Sequence, residues 1–160
     1  MLPTENKIKS LEALQATRKL WADENYQVVF TNGCFDILHL GHIDYLEKAA
    51  ALGDKLIVGL NTDESVSKLK GPERPVNKEY ARARLLAALA FVDAVIFFAS
   101  PTPLPLIETL NPNILVKGND YSPEEIVGAE HVISSGGAVK TISLVKGFST
   151  SDIISKIKGI

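Results

Sequence analysis

Cysteine is nearly absent: the 160-residue chain has one, Cys34. A single thiol excludes a disulfide framework and a cysteine-rich zinc site, and it fits a reducing compartment. Histidine is scarce as well. Only His131 accompanies His39 and His42, so no third ligand with metal-like spacing follows that pair. Long hydrophobic runs are missing. The most apolar stretch, AALAFVDAVIFFA, is broken by Asp93 and falls short of the roughly 18 to 20 residues that cross a bilayer. Lys7, Lys9 and Glu12 interrupt the N-terminal region, which leaves no apolar segment of signal-peptide length. The C-terminal KIKGI matches no lipidation signal. These absences predict a cytoplasmic protein. An excess of one charge is lacking too: 17 Lys and Arg stand against 19 Asp and Glu, a net charge of −2. That excludes a bulk-basic nucleic-acid binder, although a local basic patch is compatible with it.

What is present is ordinary for a soluble globular protein, with 46% hydrophobic and 22% charged residues. The length predicts one domain, residues 1–160, with residues 1–24 as an N-terminal helical extension. Ile8, Leu11, Leu14 and Leu20 recur at helical spacing and predict a helix over 5–22. Further helices are expected at 42–53, 63–69, 78–90, 103–110, 123–135 and 149–158. Five short apolar runs, 27–33, 54–61, 93–99, 114–121 and 138–145, read as strands. Residues 70–77, KGPERPVN, hold two prolines and a glycine and read as a loop. Strands without alternation have both faces covered. Alternation of such strands with helices predicts a doubly wound α/β sheet of five mainly parallel strands, with ligands outside the strands' carboxyl ends.

Four segments at such ends carry chemistry. In the first, TNGCFDILHLGHIDYL (31–46), a strand turns through Asn32 and Gly33 into His39-Leu40-Gly41-His42 at a helix start. The two histidines lie on one side, Gly41 lets a ligand approach the backbone, and free N–H groups suit phosphate. Isolated histidine pairs are more often structural, and the position after a strand is what favours function. The second, residues 68–84, holds six basic residues (Lys68, Lys70, Arg74, Lys78, Arg82, Arg84) and two acidic ones (Glu73, Glu79). Its +4 charge leaves −6 on the rest of the chain. It reads either as a solvated face or as a mobile cover for phosphates. The latter reading favours Arg82 and at least one of Lys68 and Lys70, with Lys78 and Arg84 solvated. The third, Lys117-Gly118-Asn119-Asp120-Tyr121, ends a buried strand with a charge. Lys117 either faces a ligand or is braced by an acid such as Asp120. The fourth, Gly147-Phe148-Ser149-Thr150-Ser151, opens the last helix and reads as an N-cap or an anion site. Cys34 reads as packing.

GCFDILHLGH is similar to the signature of the nucleotidyltransferase superfamily that bears an H-x-G-H motif. GLNTDESV, KGPERPVN, VKGNDY, IVGAE and GFSTSDII narrow the resemblance to its heptose 1-phosphate adenylyltransferase branch, over residues about 25 to 158. Asn119 and Ser151 depart from the branch, which has Gly and Thr there. The resemblance implies a Rossmann-like nucleotidyltransferase fold and transfer of AMP from ATP to D-glycero-β-D-manno-heptose 1-phosphate. It also implies a stand-alone enzyme without a sugar-kinase half, Mg²⁺ bound through the triphosphate rather than by protein ligands, and a homodimer. It implies that His39, His42, Lys68, Lys70 and Arg82 are catalytic. Nucleotide contacts fall on Asn32, Gly33, Cys34, Phe35, Asp36, His39, Gly41, His42, Lys117, Gly118, Asn119, Asp120, Tyr121, Phe148, Ser149 and Thr150. Sugar-phosphate contacts fall on Asp36, Asn61, Asp63 and Arg74, with Asp36 also a candidate to orient a Mg²⁺-bound water. Two other readings stay open: cytidylyl or guanylyl transfer to a related phosphate, and a non-catalytic nucleotide-binding module.

Overall fold

The computed structural model describes residues 3–122 and 125–159. Five strands form its sheet: β1 (Val28–Gly33), β2 (Lys55–Asn61), β3 (Ala94–Phe98), β4 (Ile114–Gly118) and β5 (Ala138–Ile142). Their order is β3-β2-β1-β4-β5, and every pairing is parallel. The helices are α1 (Leu11–Asp23), α2 (Leu40–Ala50), α3 (Asp63–Lys70), α4 (Glu79–Ala87), α5 (Leu104–Leu110), α6 (Ala129–Ser134) and α7 (Thr150–Lys158). The doubly wound class is as expected from the sequence. The core has two halves, one on each face of the sheet. Val29, Leu56, Val58 and Leu60 meet α2 and α4 through Leu46, Ala49, Ala83 and Leu86. Phe30, Ile57 and Ile96 meet α1, α5 and α6 through Leu14, Ile107 and Val132 on the other. Alternate residues of each central strand thus face opposite layers, which explains runs such as LIVGL.

The chain order reverses between β1 and β4, so a crevice opens there at the carboxyl ends, where such sheets bind ligands.

Several boundaries differ from the sequence reading. The helix expected from residue 5 begins at Leu11, capped by Ser10, whose Oγ accepts from the Ala13 N–H at 3.3 Å. Glu5–Lys7 is a short 3₁₀ turn, and Ile8 makes a parallel bridge to Val95 at the edge of β3. Ile8 therefore serves a sheet edge, while its spacing imitates a helix face. Leu20 is 63% exposed, so of the four periodic residues only Leu14 is buried. Helix α6 covers only 129–134 of the expected 123–135, and residues 123–124 lie outside the described residues. Strand β5 stops at Ile142, and as an edge strand it leaves Lys140 and Thr141 exposed.

Candidate active site

The cleft at the β1–β4 crevice has a volume of about 550 Å³. Its floor is the end of β1, the turn into α2 and the end of β4. Its far wall is the segment after β5 and the start of α7.

The turn after β1 delivers both histidines to one place. His39 is the N-cap of α2, and its Nδ1 accepts from the His42 backbone N–H at 3.3 Å. With Nδ1 used as an acceptor, the neutral ring carries its proton on Nε2. The two imidazoles stack, with centroids 3.7 Å apart and planes 20° apart, and Phe35 meets His42 edge-on at 5.2 Å. Gly41 gives the pair room: a Cβ there would sit 3.0 Å from the His39 ring and press on it. Burial, then the neighbouring His39, pushes His42 down to about 4, with the Ile37 backbone pulling partly back up. His39 is also lowered by burial. Both rings are therefore neutral near pH 7, a state in which each carries one N–H and no charge.

On the floor opposite, Lys117 extends from β4 and its Nζ donates to Asn32 Oδ1 on β1. Burial pulls the ammonium down to about 8, while Asp120 acts to raise it. Asn32 is thus the hydrogen-bond partner of Lys117, and Asp120 influences it through charge. Asp120 folds back over the strand end, where a Cβ on Gly118 would lie 2.5 Å from its Oδ1. Asn119 instead turns away, its Nδ2 donating to Ser143 Oγ at 3.2 Å. On the far wall Ser149 caps α7, accepting from Asp152 N–H at 3.0 Å, and Thr150 Oγ1 reaches the Ile37 carbonyl at 3.4 Å.

The basic segment divides differently from the sequence reading. Lys70, the last residue of α3, lines the cleft. Lys68 does not: it is exposed and pairs with Glu64 one turn back at 2.5 Å. Arg82, taken from sequence as a phosphate contact, is fully buried and does not line the cleft. Its guanidinium donates to the carbonyls of Cys34 (2.7 Å), Asn61 (2.8 Å) and Asn77 (2.9 Å), and to Asp63 Oδ1 (2.9 Å). It therefore bolts together the turns that follow β1 and β2 and the loop before α4. Asp63, expected at the sugar pocket, is engaged by that bolt and lies outside the cleft lining. Asp36 has a fully buried carboxylate. It accepts from Arg74 Nε (2.6 Å), Val76 N–H (2.9 Å) and Asn77 N–H (2.9 Å). Burial would raise its pKa, but the Asn77 and Val76 N–H groups and Arg74 outweigh that and hold it low. Asp36 lines the cleft and clamps the 74–77 loop with three of its acceptor positions. Arg74 sits at the cleft edge, 15% exposed, with its Nε committed to Asp36. Arg84 is also not simply solvated, since it pairs with Glu5 at 2.8 Å and ties the N-terminal turn to α4. Lys78 is exposed.

Asn61 lines the cleft at the end of β2, its Nδ2 donating to Ser65 Oγ at 2.9 Å. Cys34 lines it too, with its thiol pushed up chiefly by burial. Gly33, Phe35, Tyr121 and Phe148 complete the expected lining. Ser151, from the fourth segment, lines the cleft as well, and so do Tyr45, Leu69, Leu144 and Val145, which were not assigned from sequence. Tyr45 lies one helical turn beyond His42, which is the signal that could have found it.

A family description, cytidylyltransferase-like, matches residues 30–156, a span from the core of β1 into α7. The chain belongs to the cytidylyltransferase-like family. This nucleotidyltransferase is 54% identical over 155 residues to the bifunctional protein HldE of Geotalea uraniireducens (strain Rf4), covering 97% of this chain and 32% of that protein. It is 56% identical over 154 residues to the bifunctional protein HldE of Campylobacter jejuni subsp. doylei, covering 96% and 32%. The chain thus spans about a third of the length of the curated relatives it matches. Among solved structures, it is similar to the lipopolysaccharide core biosynthesis protein from Thermoplasma volcanium GSS1. That likeness has a TM-score of 0.60 and 31% identity over 77% of this chain and 99% of the other. The pantoate-beta-alanine ligase from Francisella tularensis shares the fold, with a TM-score of 0.62 at 16% identity over 96% of this chain and 78% of that one. No helix among the described residues is long and apolar enough to cross a membrane.

Proposed function

We propose that this nucleotidyltransferase moves AMP from ATP to D-glycero-β-D-manno-heptose 1-phosphate, releasing pyrophosphate and ADP-heptose. The observation that carries the reading is one cleft that brings together two neutral stacked histidines, Lys70, Lys117 and the start of α7. The resemblance of the sequence to the heptose branch, and the likeness to HldE proteins and a lipopolysaccharide core biosynthesis protein, support the choice of acceptor.

The acceptor's phosphate oxygen is already ionised, so no strong base is needed. It attacks the α-phosphorus, a new P–O bond forms, and the bond to the β-phosphate oxygen breaks. The difficulty is electrostatic, because two anions meet and charge builds on the equatorial oxygens. Preorganised donors meet that charge. His39 would donate from Nε2 and His42 from its cleft-facing side, while Lys70 and Lys117 neutralise phosphate. Backbone N–H groups at the starts of α2 and α7 add dipolar stabilisation. Arg74, Asn61 and the loop held by Asp36 border the acceptor end. Mg²⁺ enters on the triphosphate as part of the substrate, and among the described residues no group of three or more His, Cys, Asp or Glu could hold a metal.

The deciding assay is pyrophosphate release with ATP, GTP and CTP against both anomers of heptose 1-phosphate and against glycerol 3-phosphate. ATP with the β-anomer should give the highest kcat/KM. Preference for CTP with glycerol 3-phosphate, or nucleotide binding without turnover of any pair, overturns the reading. The resemblance also implies a homodimer in the cytoplasm working on surface polysaccharide precursors, and light scattering decides the oligomer.

A further inference from the structure

The ladder between β1 and β4 stops early. Only Val29↔Ile114 and Phe30↔Leu115 are paired, although β1 stays paired with β2 through Gly33 and β4 with β5 through Gly118. The parting is therefore local to these two strands. Continuing the register sets Thr31 opposite Val116 and Asn32 opposite Lys117. Side chains replace both missing rungs. At the first, the Tyr45 hydroxyl donates to the Val116 carbonyl at 3.1 Å and lies 2.8 Å from Thr31 Oγ1. Its single proton is used on Val116, so Thr31 donates to it. At the second, Lys117 reaches Asn32 across the cleft floor.

Tyr45 and Thr31 are both buried, at 7% and 0% exposure. Without the hydroxyl, the Val116 carbonyl and the Thr31 hydroxyl lose the partner they share. The two strands are then free to close or twist there, which moves Asn32 and Lys117 one residue further along.

We propose that Tyr45 is a positioning residue of this site, whose hydroxyl serves as the third rung between β1 and β4 and thereby sets where Lys117 and Asn32 stand. The proposal rests on the nucleotidyl-transfer reading above, because it assigns Lys117 to the triphosphate. It makes Tyr45 a device for holding the sheet open by a fixed amount where the reacting phosphates lie.

The test is Tyr45→Phe, which keeps the ring and removes the rung, with Thr31→Val as a second variant that leaves the Val116 contact in place. Tyr45→Phe should lower kcat by roughly 10- to 100-fold, the size of an ångström-scale misplacement, with KM for ATP changed less than about threefold. Thr31→Val should show the same pattern more weakly. In a Lys117→Met background Tyr45→Phe should have a much smaller further effect, because the charge it positions is gone. A loss of thermal stability with kcat intact, or effects of Tyr45 and Lys117 that simply multiply, overturns the proposal. A crystal structure of Tyr45→Phe supplies a readout free of activity. It should show the Lys117–Asn32 contact displaced or broken, and an unmoved contact overturns the proposal even if turnover falls. Should the wild-type chain turn over no pair, the nucleotidyl-transfer reading fails separately. The crystal structure of Tyr45→Phe then decides the Tyr45 role by itself, with an unmoved Lys117–Asn32 contact overturning it.

Discussion

His42 and Lys117 depart from their ordinary protonation behaviour in ways that make distinct predictions. Removing a donor aimed at transition-state charge costs on the order of 10² in kcat, so His42→Ala should lose about that much with a smaller change in KM. A loss confined to KM would assign His42 to ground-state binding. Because His42 titrates near 4 when folded and near 6.5 when unfolded, the unfolded chain takes up protons first as pH falls. The stability tied to its neutral form is full above about pH 6.5 and is lost between there and about pH 4. Melting temperature should therefore drop across that window in the wild type and less steeply in His42→Gln. Asp36 titrates below the ordinary carboxylate value, so its contribution is lost only at still lower pH. Lys117 is lowered by burial as His42 is, but here the charged form is the one a phosphate would meet. Its ammonium, titrating near 8 in the free protein, should give kcat/KM for ATP an alkaline limb that Lys117→Arg shifts upward. The histidine pair was legible because its chemistry lies within one short run. Lys68 and Lys70 were not separable: they lie two residues apart on α3, so they point to different sides, and nothing local reveals which side meets the cleft.

Arg82 belongs to α4 but acts on three other segments. Sequence showed an arginine among alanines and leucines, which marks burial, but not the carbonyls it serves, since Cys34, Asn61 and Asn77 come together only in the folded sheet. Removing one partner of a buried charge network costs about 3–5 kcal/mol, or roughly 10 °C in a domain of this size. Arg82→Met should lower the melting temperature by that order, and Arg82→Lys should rescue little, because one ammonium cannot reach four acceptors in a planar fork. Differential scanning calorimetry decides this, and a normal melting temperature with lost phosphate affinity would return Arg82 to substrate contact. At α7 the reading from sequence was nearer, since the Ser149 cap is set by neighbours in the chain. Ser149→Ala should cost about 1 kcal/mol through that cap alone. The N-terminal turn was misread for the reverse reason, as Ile8 fits a helical period but finds an open strand edge at Val95.

Across the protein, the sign segregation expected from the sequence is largely cancelled in space. Four of the six basic residues in 68–84 pair with acids: Lys68 with Glu64, Arg74 with Asp36, Arg82 with Asp63 and Arg84 with Glu5. Long-range attraction of the nucleotide is therefore modest. Raising ionic strength from about 0.05 to 0.3 M should lower kcat/KM only a few-fold, as expected when contact rather than steering holds the anion. The fold class was readable because helix and strand runs alternate along the chain, whereas the cleft's shape was not, because it depends on where β1 and β4 part. That parting also has a kinetic side. Its rungs join residues 71 and 85 positions apart, while β1 and β2 are linked by a single helix. Contacts between distant residues form late, because the intervening chain must first be ordered. The first three strands can assemble before β4 docks beside β1, so during refolding the return of helical signal should precede the return of nucleotide binding.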